Sequence, residues 1–491
     1  MLSSDYFEGR APGTNGEAHT TTYLMQELRS AMAPWGPDVQ PVPLVAITSR
    51  PTLSFDGGAP LRATDDYVAW SYATSPTVRV ERSEIVFVGY GVVAPELGWD
   101  DFKDVDVRGK TVVFLIGDPP VPDPNDPTKL DEATFRGRAM TYYGRWTYKY
   151  EIAAKKGAAA ALIVHETAPA GYGWNVVAGG GTRERYELAT PEARGAHVQA
   201  EGWIQEERAR DLFKTNGRDF DQLKKRALLR DFRPETLGSA RVSIEIETTA
   251  REMDSHNIIA RLPGTDIQDE HVMYSAHWDH FGKSKEGTFH GALDNASGCA
   301  WLLLMVRRFR LQNPTPRRSM LFAFFTAEEQ GLLGSKYYAS HPIVPLERTV
   351  ADINMDIMNP WGRTHSIVSI GDGQTTMDDL LREEAARQHR RVVPDPEPEK
   401  GYYFRSDHFE LVKKGVPALS FLFPGADYVD QPPDFGARKR AEYIATMYHQ
   451  PNDVVQPDWD LSGAAEDVEL LHAVGRRIAD TQQRPTFKPT R

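Results

Sequence analysis

The order of apolar and polar positions divides the chain into three textures. In the first, a turn-rich opening from Gly9 to Gly13 leads into a helical pattern in which Leu24, Leu28 and Met32 recur at every fourth residue and give one buried face. The second begins near Ser83. Segments 85–93 and 109–117 read as strands, a helical pattern through Tyr150 stops at Gly157, and 158–165 reads as a buried strand, which together make a βαβ pattern. A Gly/Tyr-rich loop over 171–181, a strand near 197–203 and the charged helix Glu206–Thr215 complete a compact unit that ends near Glu235.

The third texture begins at residue 241. Segments 256–264 and 270–277 are expected to be neighbouring strands joined by a turn at 263–266. A helix over 297–310 is apolar nearly all round and so should be buried. In the run 319–325 every position after Ser319 is apolar, the signature of a strand that parallel sheets bury on both faces. A strand over 366–370, a helix over 377–388, a strand over 416–423 and a helix over 464–481 follow, the last with Val468, Leu471, Val474 and Ile478 on one face. Strands alternating with helices predict an α/β fold with a mixed, mostly parallel central sheet flanked by helices, and a smaller α+β unit inserted into it. The expected boundaries are 1–78 for the first part of the larger domain, 79–240 for the insertion and 241–491 for the remainder. No internal repeat is visible, and the acidic proline stretch 394–400 reads as a solvated loop.

Composition narrows the function. At 491 residues the chain exceeds what one core usually serves, in keeping with two domains. The net charge of 57 − 69 = −12 argues against nucleic acid or an anionic membrane as main partner. The aromatic stretch 142–150 accordingly reads as the packed face of a helix rather than a base-stacking platform. No apolar run reaches the length of a membrane span. The single cysteine, Cys299, reads as an inert core residue, and its solitude rules out disulfides within the chain and multi-cysteine zinc knuckles. Any metal must therefore be held by His, Asp and Glu. His165, His197 and His365 read as ordinary strand or loop residues. The chain opens with no basic segment followed by an apolar one, so no signal peptide is visible. The expectation is an exported protein, periplasmic or extracellular, whose leader has been removed, with the cytoplasm as the alternative.

The candidate chemistry lies where expected strands end. His277, Asp279, Asp294, Glu328, Glu329, Asp356 and His449 all fall there, and open α/β sheets bind ligands at the carboxyl ends of their strands. Two divalent cations about 3.5–4 Å apart need a bridging carboxylate plus one histidine and one carboxylate each, and this set supplies them. Nitrogen and oxygen ligands favour zinc, with cobalt or manganese as substitutes. Two carboxylates remain: Asp279, two residues from His277, can orient its imidazole, and Glu328 can act as general base. Singly each feature has a bland reading, as a surface turn, a helix start, the N-cap of the following helix or a loop histidine.

The order His277-x-Asp279, Asp294-Asn-Ala-Ser-Gly298, Glu328-Glu329-x-Gly-Leu-Leu-Gly334-Ser335, Asn354-Met-Asp356 and Tyr448-His449 resembles the co-catalytic zinc aminopeptidases. That family also holds glutamate carboxypeptidases, the catalytically dead transferrin receptors and glutaminyl cyclases. Residues 80–240 resemble a protease-associated domain, through Gly109-Lys-Thr-Val-Val and Lys156-Gly-Ala-Ala-Ala. The resemblance implies a zinc exopeptidase fold of the phosphorylase/hydrolase-like type, with Asp294 bridging two Zn²⁺ ions. It further implies that His277 and Asp356 complete one ion and Glu329 and His449 the other. Glu328 would be the base on a water that bridges the metals, and Asp279 the residue orienting a histidine. It also implies that Arg405-Ser-Asp407-His408 lies near the site; Tyr402 or Tyr403, which the family does not always keep, could approach a tetrahedral oxyanion, so Tyr402, Tyr403, Asp407 and His408 are the expected substrate contacts. The implied activity is removal of N-terminal residues from peptide substrates. Alternatives are a carboxypeptidase or dipeptidase of the same family, a one-metal glutaminyl cyclase, or a receptor-like binding protein without catalysis. Side-chain preference and oligomeric state are not legible.

Overall fold

Five strands form the sheet of the larger unit: β1 (Glu235–Leu262), β2 (Ile267–His277), β3 (Arg318–Phe325), β4 (Thr349–Ile357) and β5 (Ala418–Leu422). This is the arrangement in a computed structural model that describes residues 1–181 and 183–489. Across the sheet the order is β5-β4-β2-β3-β1. β3, β2, β4 and β5 run parallel to their neighbours, and only residues 258–262 of β1 pair antiparallel, with β3. The sheet is therefore mixed and mostly parallel, as the sequence pattern implied.

Every residue of β3 and β4 is buried, because helices cover both faces. On one face α1 (Asn15–Met32), α2 (Gly298–Leu311), α3 (Met377–Arg387) and α4 (Ser462–Asp480) share a core. In it Leu24, Leu28, Trp301, Met305, Leu381, Leu471 and Ile478 pack with Tyr274, Phe322, Ile353 and Phe421 of the sheet. On the other face Met273, Leu321 and Phe325 pack with Tyr338, Leu411 and Val416. Each such large apolar side chain contributes roughly 1.5–3 kcal/mol on burial.

One expectation fails. β1 and β2 are not neighbours, because β3 lies between them, hydrogen-bonded to Ile258–Leu262 on one edge and His271–His277 on the other. A strand that is apolar from Met320 to Phe325 has no face to offer water, so it takes the interior position. The short turn after β1 instead crosses the start of β3. At Gly264 an added β-carbon would stand 2.3 Å from the Arg317 carbonyl oxygen, so glycine is what lets the backbones approach so closely.

The chain divides into two units, one of Met1–Pro43, Met253–Pro396 and Tyr402–Arg491, the other of Leu44–Glu252 and Glu397–Gly401. The divisions fall inside the long strands Asp38–Phe55 and β1, whereas the texture of the sequence changes near 78 and 240. A strand can run from one unit into the next without any break in its pattern. Within the second unit Thr77–Phe87, Thr111–Leu115, Ala160–His165 and Ala200–Gln205 run parallel in that order. Tyr67–Trp70 adds antiparallel to the last of these. The helix Trp146–Lys155 buries Tyr148 and Tyr150, as expected of its aromatic face. The segment read as a loop over 171–181 carries the helix Trp174–Gly181 instead. It is pinned by Trp174, whose indole Nε1 donates to the Thr64 carbonyl at 2.8 Å.

His197 is not an ordinary loop residue. It lies between two buried carboxylates, with Nε2 2.7 Å from Glu187 Oε2 and Nδ1 2.8 Å from Glu201 Oε1. Burial alone pushes the imidazole down, but the hydrogen bonds and charges of Glu187 and Glu201 together outweigh it and hold the group at about 9. A folded pKa above the unfolded value of about 6.5 gives stability that is complete below about pH 6.5 and lost as pH rises through about 9. His197→Gln should therefore destabilise the protein by on the order of 3 kcal/mol near pH 6, and the deficit should shrink towards about pH 10. Thermal unfolding of both proteins across that range is the check, and a deficit independent of pH would contradict the charged triad.

Candidate metal centre

β2 ends at His277, β4 carries Asp356 in its last turn of pleat, and β3 leads through Thr326 and Ala327 to Glu328 and Glu329. All three are carboxyl ends of adjacent parallel strands, where side chains distant in sequence converge. Asp294 comes from the irregular turn Ala292–Ser297 ahead of α2, and His449 from the loop after the helix Phe435–Thr446. Two of the turns that deliver these groups use left-handed backbone at non-glycine residues, Ala327 (φ +52°) and His449 (φ +57°). Each such residue costs roughly 1–3 kcal/mol, and such conformations persist where surrounding contacts fix them.

Asp294 stands in the middle. Its Oδ1 is 3.2 Å from His277 Nε2 and its Oδ2 is 3.1 Å from His449 Nε2. The same nitrogen of His277 is 3.2 Å from Asp356 Oδ1 and 3.7 Å from Glu328 Oε2. That of His449 is 3.2 Å from Glu329 Oε2. Six of the seven residues singled out from sequence are thus brought together, and two sets of donor atoms share one carboxylate. Burial pushes Glu328 and Glu329 well above the usual carboxylate range, with neighbouring carboxylates adding to it. Burial acts the same way on Asp294, but its hydrogen bonds to His277 and His449 prevail and hold it well below that range. Four acidic side chains crowded out of water are costly unless cations sit among them. Imidazole nitrogen and carboxylate oxygen gathered in overlapping groups, such as His277 with Asp294 and Asp356 and His280 with Asp294 and Glu329, form a donor set that fits a divalent cation.

Several residues that hold this geometry escaped the sequence reading. Asp453 accepts the Leu293 amide on Oδ1 and the Asp294 amide on Oδ2, both at 3.1 Å, and the Tyr443 hydroxyl as well. Its only sequence signal was its position four residues after His449. Arg10, fully buried, donates from Nε to the Trp278 carbonyl at 2.8 Å, from Nη1 to His290 at 2.6 Å and from Nη2 to Gly291 at 2.8 Å. Nothing near Arg10 in sequence points to loops some 270 residues away. His280, next to Asp279, has Nδ1 2.5 Å from Glu329 Oε1. Asp279 lies 3.6 Å from His277 Nδ1. It also accepts the backbone amides of Glu328 at 3.0 Å and Glu329 at 3.4 Å. Asn295 does cap α2, its Oδ1 accepting the Gly298 amide at 2.8 Å.

A recess opens on these groups, lined by Asp294, Glu328, Asp356 and His449 together with Tyr402, Arg405, Ser406, Ser420, Leu422 and Tyr448. Of the four expected substrate contacts only Tyr402 lines it. Tyr403 turns to pack against His408, with ring centroids 4.9 Å apart, and against Gly371. His408 is wholly buried, and burial pushes its imidazole down to about 3. Asp407 is also buried, which pushes its carboxyl up to about 7. In the single 3₁₀ turn Tyr402–Phe404, adjacent side chains point to different sides, and Asp407 and His408 begin a helix that faces the core. Tyr448 was read only as the neighbour of His449. It stacks on that imidazole with ring centroids 3.7 Å apart.

Residues 257–472, a stretch that contains all seven residues of the centre, match Peptidase family M28. Aminopeptidase NAALADL1 of Mus musculus is 36% identical over 121 residues, which are 24% of this chain and 15% of that protein. Leucine aminopeptidase 2 of Trichophyton equinum is 27% identical over 232 residues, 44% of each chain. The chain thus spans less than half the length of these curated relatives. The solved aminopeptidase from Aneurinibacillus sp. strain AM-1 superimposes with a TM-score of 0.54 at 18% identity, covering 100% of this chain and 95% of that one, a likeness of fold. The likeness to Peptidase family M28 thus rests on the stretch that carries the candidate metal centre.

Proposed function

We propose that the chain is a zinc-dependent aminopeptidase that hydrolyses the N-terminal bond of peptides. The observation that carries this is the Asp294 carboxylate, whose two oxygens face two different histidines. Each histidine is further matched with its own acidic partner, Asp356 or Glu329. In this reading His277 and Asp356 hold one ion, His449 and Glu329 the other, and Asp294 lies between. Divalent cations there supply Lewis-acid polarisation of the scissile carbonyl and a lowered pKa for water.

The remaining work falls to side chains. Glu328 faces both the recess and the His277 side of the cluster. One of its carboxylate oxygens takes the proton of the attacking water and returns it to the leaving amine nitrogen. Burial raises its proton affinity, His277 opposes this, and Asp356, Asp407 and Asp294 reinforce it. Asp279, by accepting the amides of both glutamates, keeps Glu328 and Glu329 on their separate courses. Relatives bearing aminopeptidase names support the choice of the N-terminal bond.

Arg405 is the observation on the other side. It lines the same recess and supplies a cation that a C-terminal carboxylate could meet, which is the second reading, a carboxypeptidase or dipeptidase. A receptor-like protein without activity is disfavoured by the complete donor set.

Three measurements test this. Exhaustive chelation should abolish cleavage of aminoacyl-p-nitroanilides, and zinc should restore it at two equivalents per chain; undiminished turnover by metal-free protein would refute the proposal. Glu328→Gln should keep both ions yet lose about 10²–10⁴-fold in kcat with little change in KM. N-acetylation of a peptide should block its hydrolysis while C-terminal amidation leaves it intact, and the reverse pattern would establish the carboxypeptidase reading.

A further inference from the structure

We propose that His280 is a positioning residue that fixes the Glu329 carboxylate, so that only Oε2 is presented towards His449 and Asp294. The inference rests on the two-cation reading above, which does not use His280 as a ligand although its ring stands close enough to Asp294 and Glu329 to share an ion with them. Glu329 lies between two imidazoles. Its Oε1 is 2.5 Å from His280 Nδ1, and its Oε2 is 3.2 Å from His449 Nε2. A hydrogen bond from Nδ1 to Oε1 stops the carboxylate from rotating and commits the other oxygen to the cation side. His280 is free for this task. It is completely buried, and its Nε2 has no hydrogen-bond partner, so the ring proton belongs on Nδ1, where the acceptor is.

The ring is itself held. The His280 amide donates to the Arg10 carbonyl at 3.3 Å. On its flank lies Gly291 in left-handed backbone (φ +53°), where an added β-carbon would stand 2.7 Å from the ring Cδ2 and 2.7 Å from Arg10 Nη2. Arg10 fixes that wall through the carbonyls of His290 and Gly291. A buried ring clamped in this way can aim Nδ1 only where Glu329 stands. An unclamped glutamate could rotate or chelate through both oxygens, and would hold its ion less well.

Zinc binding by the metal-free full-length protein, followed by competition with a chromophoric chelator, reads this without any turnover. His280→Leu should weaken one of two binding events by about 10–100-fold and leave the other within about 2-fold. His280→Asn places an amide N–H near the position of Nδ1 and should recover most of the loss. His280→Gln places its amide near Nε2 and should not. These two polar variants keep the question answerable if the leucine protein does not fold. Equal weakening of both events, no weakening in any variant, or equal recovery by both amides would each overturn the proposal. Recovery by neither would mark His280 as a direct ligand and overturn the positioning role as well. A wild-type protein that takes up fewer than two ions would instead overturn the two-cation reading, and this proposal with it. Two ions in wild type with no effect of His280→Leu would refute the role of His280 alone.

Discussion

The Asp294 carboxylate, buried and facing an imidazole from each of its oxygens, is the constraint to which the rest of the centre is fitted. A carboxylate in that position must be aimed to within a fraction of an ångström, and its own turn is too irregular to do it alone. Groups from two distant segments and from the turn itself supply the aim. Asp453 takes the amides of Leu293 and Asp294. Asn295 ties the turn to α2 through Gly298 and to β4 through the Met355 carbonyl. Arg10 holds the carbonyls of His290 and Gly291 just upstream. The precision of the site thus comes from hydrogen bonds to backbone groups, which fix the loops, rather than from contacts among the donors themselves.

That arrangement has an energetic consequence. Burying Asp294, Asp356, Glu328 and Glu329 together works against folding, and the left-handed residues Ala327 and His449 add to the cost. Cations that bind the folded chain and not the unfolded one offset it by mass action. The two faces of apolar packing around β3 and β4 provide the rigid frame against which such a costly cluster can persist. Local rules are broken where the chemistry is placed and obeyed everywhere around it, as expected of a functional site.

The sequence carried the centre more completely than it carried the frame. His277, Asp294, Glu328, Glu329, Asp356 and His449 stand out in the sequence because each is a charged or imidazole group beside an apolar stretch, where a solvated role competes with a chemical one. The order of strands was not legible. A run such as Phe322 to Phe325 says that a strand is buried, but nothing in an apolar run says which neighbours bury it, and so β1 and β2 were wrongly paired. The same limit explains Arg10, His197 and His280. A long-range partner defines the role of each: Trp278 and Gly291, Glu187 and Glu201, and Glu329. Pattern along the chain does not report such pairings. Tyr402 and Tyr403 show the limit at its finest, since neighbours in one short turn face different surroundings.

Glu328 and Glu329 carry this furthest. They are chemically identical and adjacent, yet one faces His277 and the recess while the other lies between His449 and His280. Nothing in the residue type distinguishes a base from a ligand, so the distinction has to be built into the backbone that presents them. Ala327, in left-handed conformation, turns the chain out of β3, and Asp279 then receives both following amides on its two oxygens. With both amides held, a slip of the turn by one residue would lose two charge-assisted hydrogen bonds and exchange the two side chains. The Asp279 carbonyl, at 3.2 Å, is the closer partner of His277 Nδ1, so in the proposed mechanism the Asp279 carboxylate has another task. It keeps the base and the ligand from trading places, and this explains why an acidic residue that faces no substrate sits fully buried at the centre of the site.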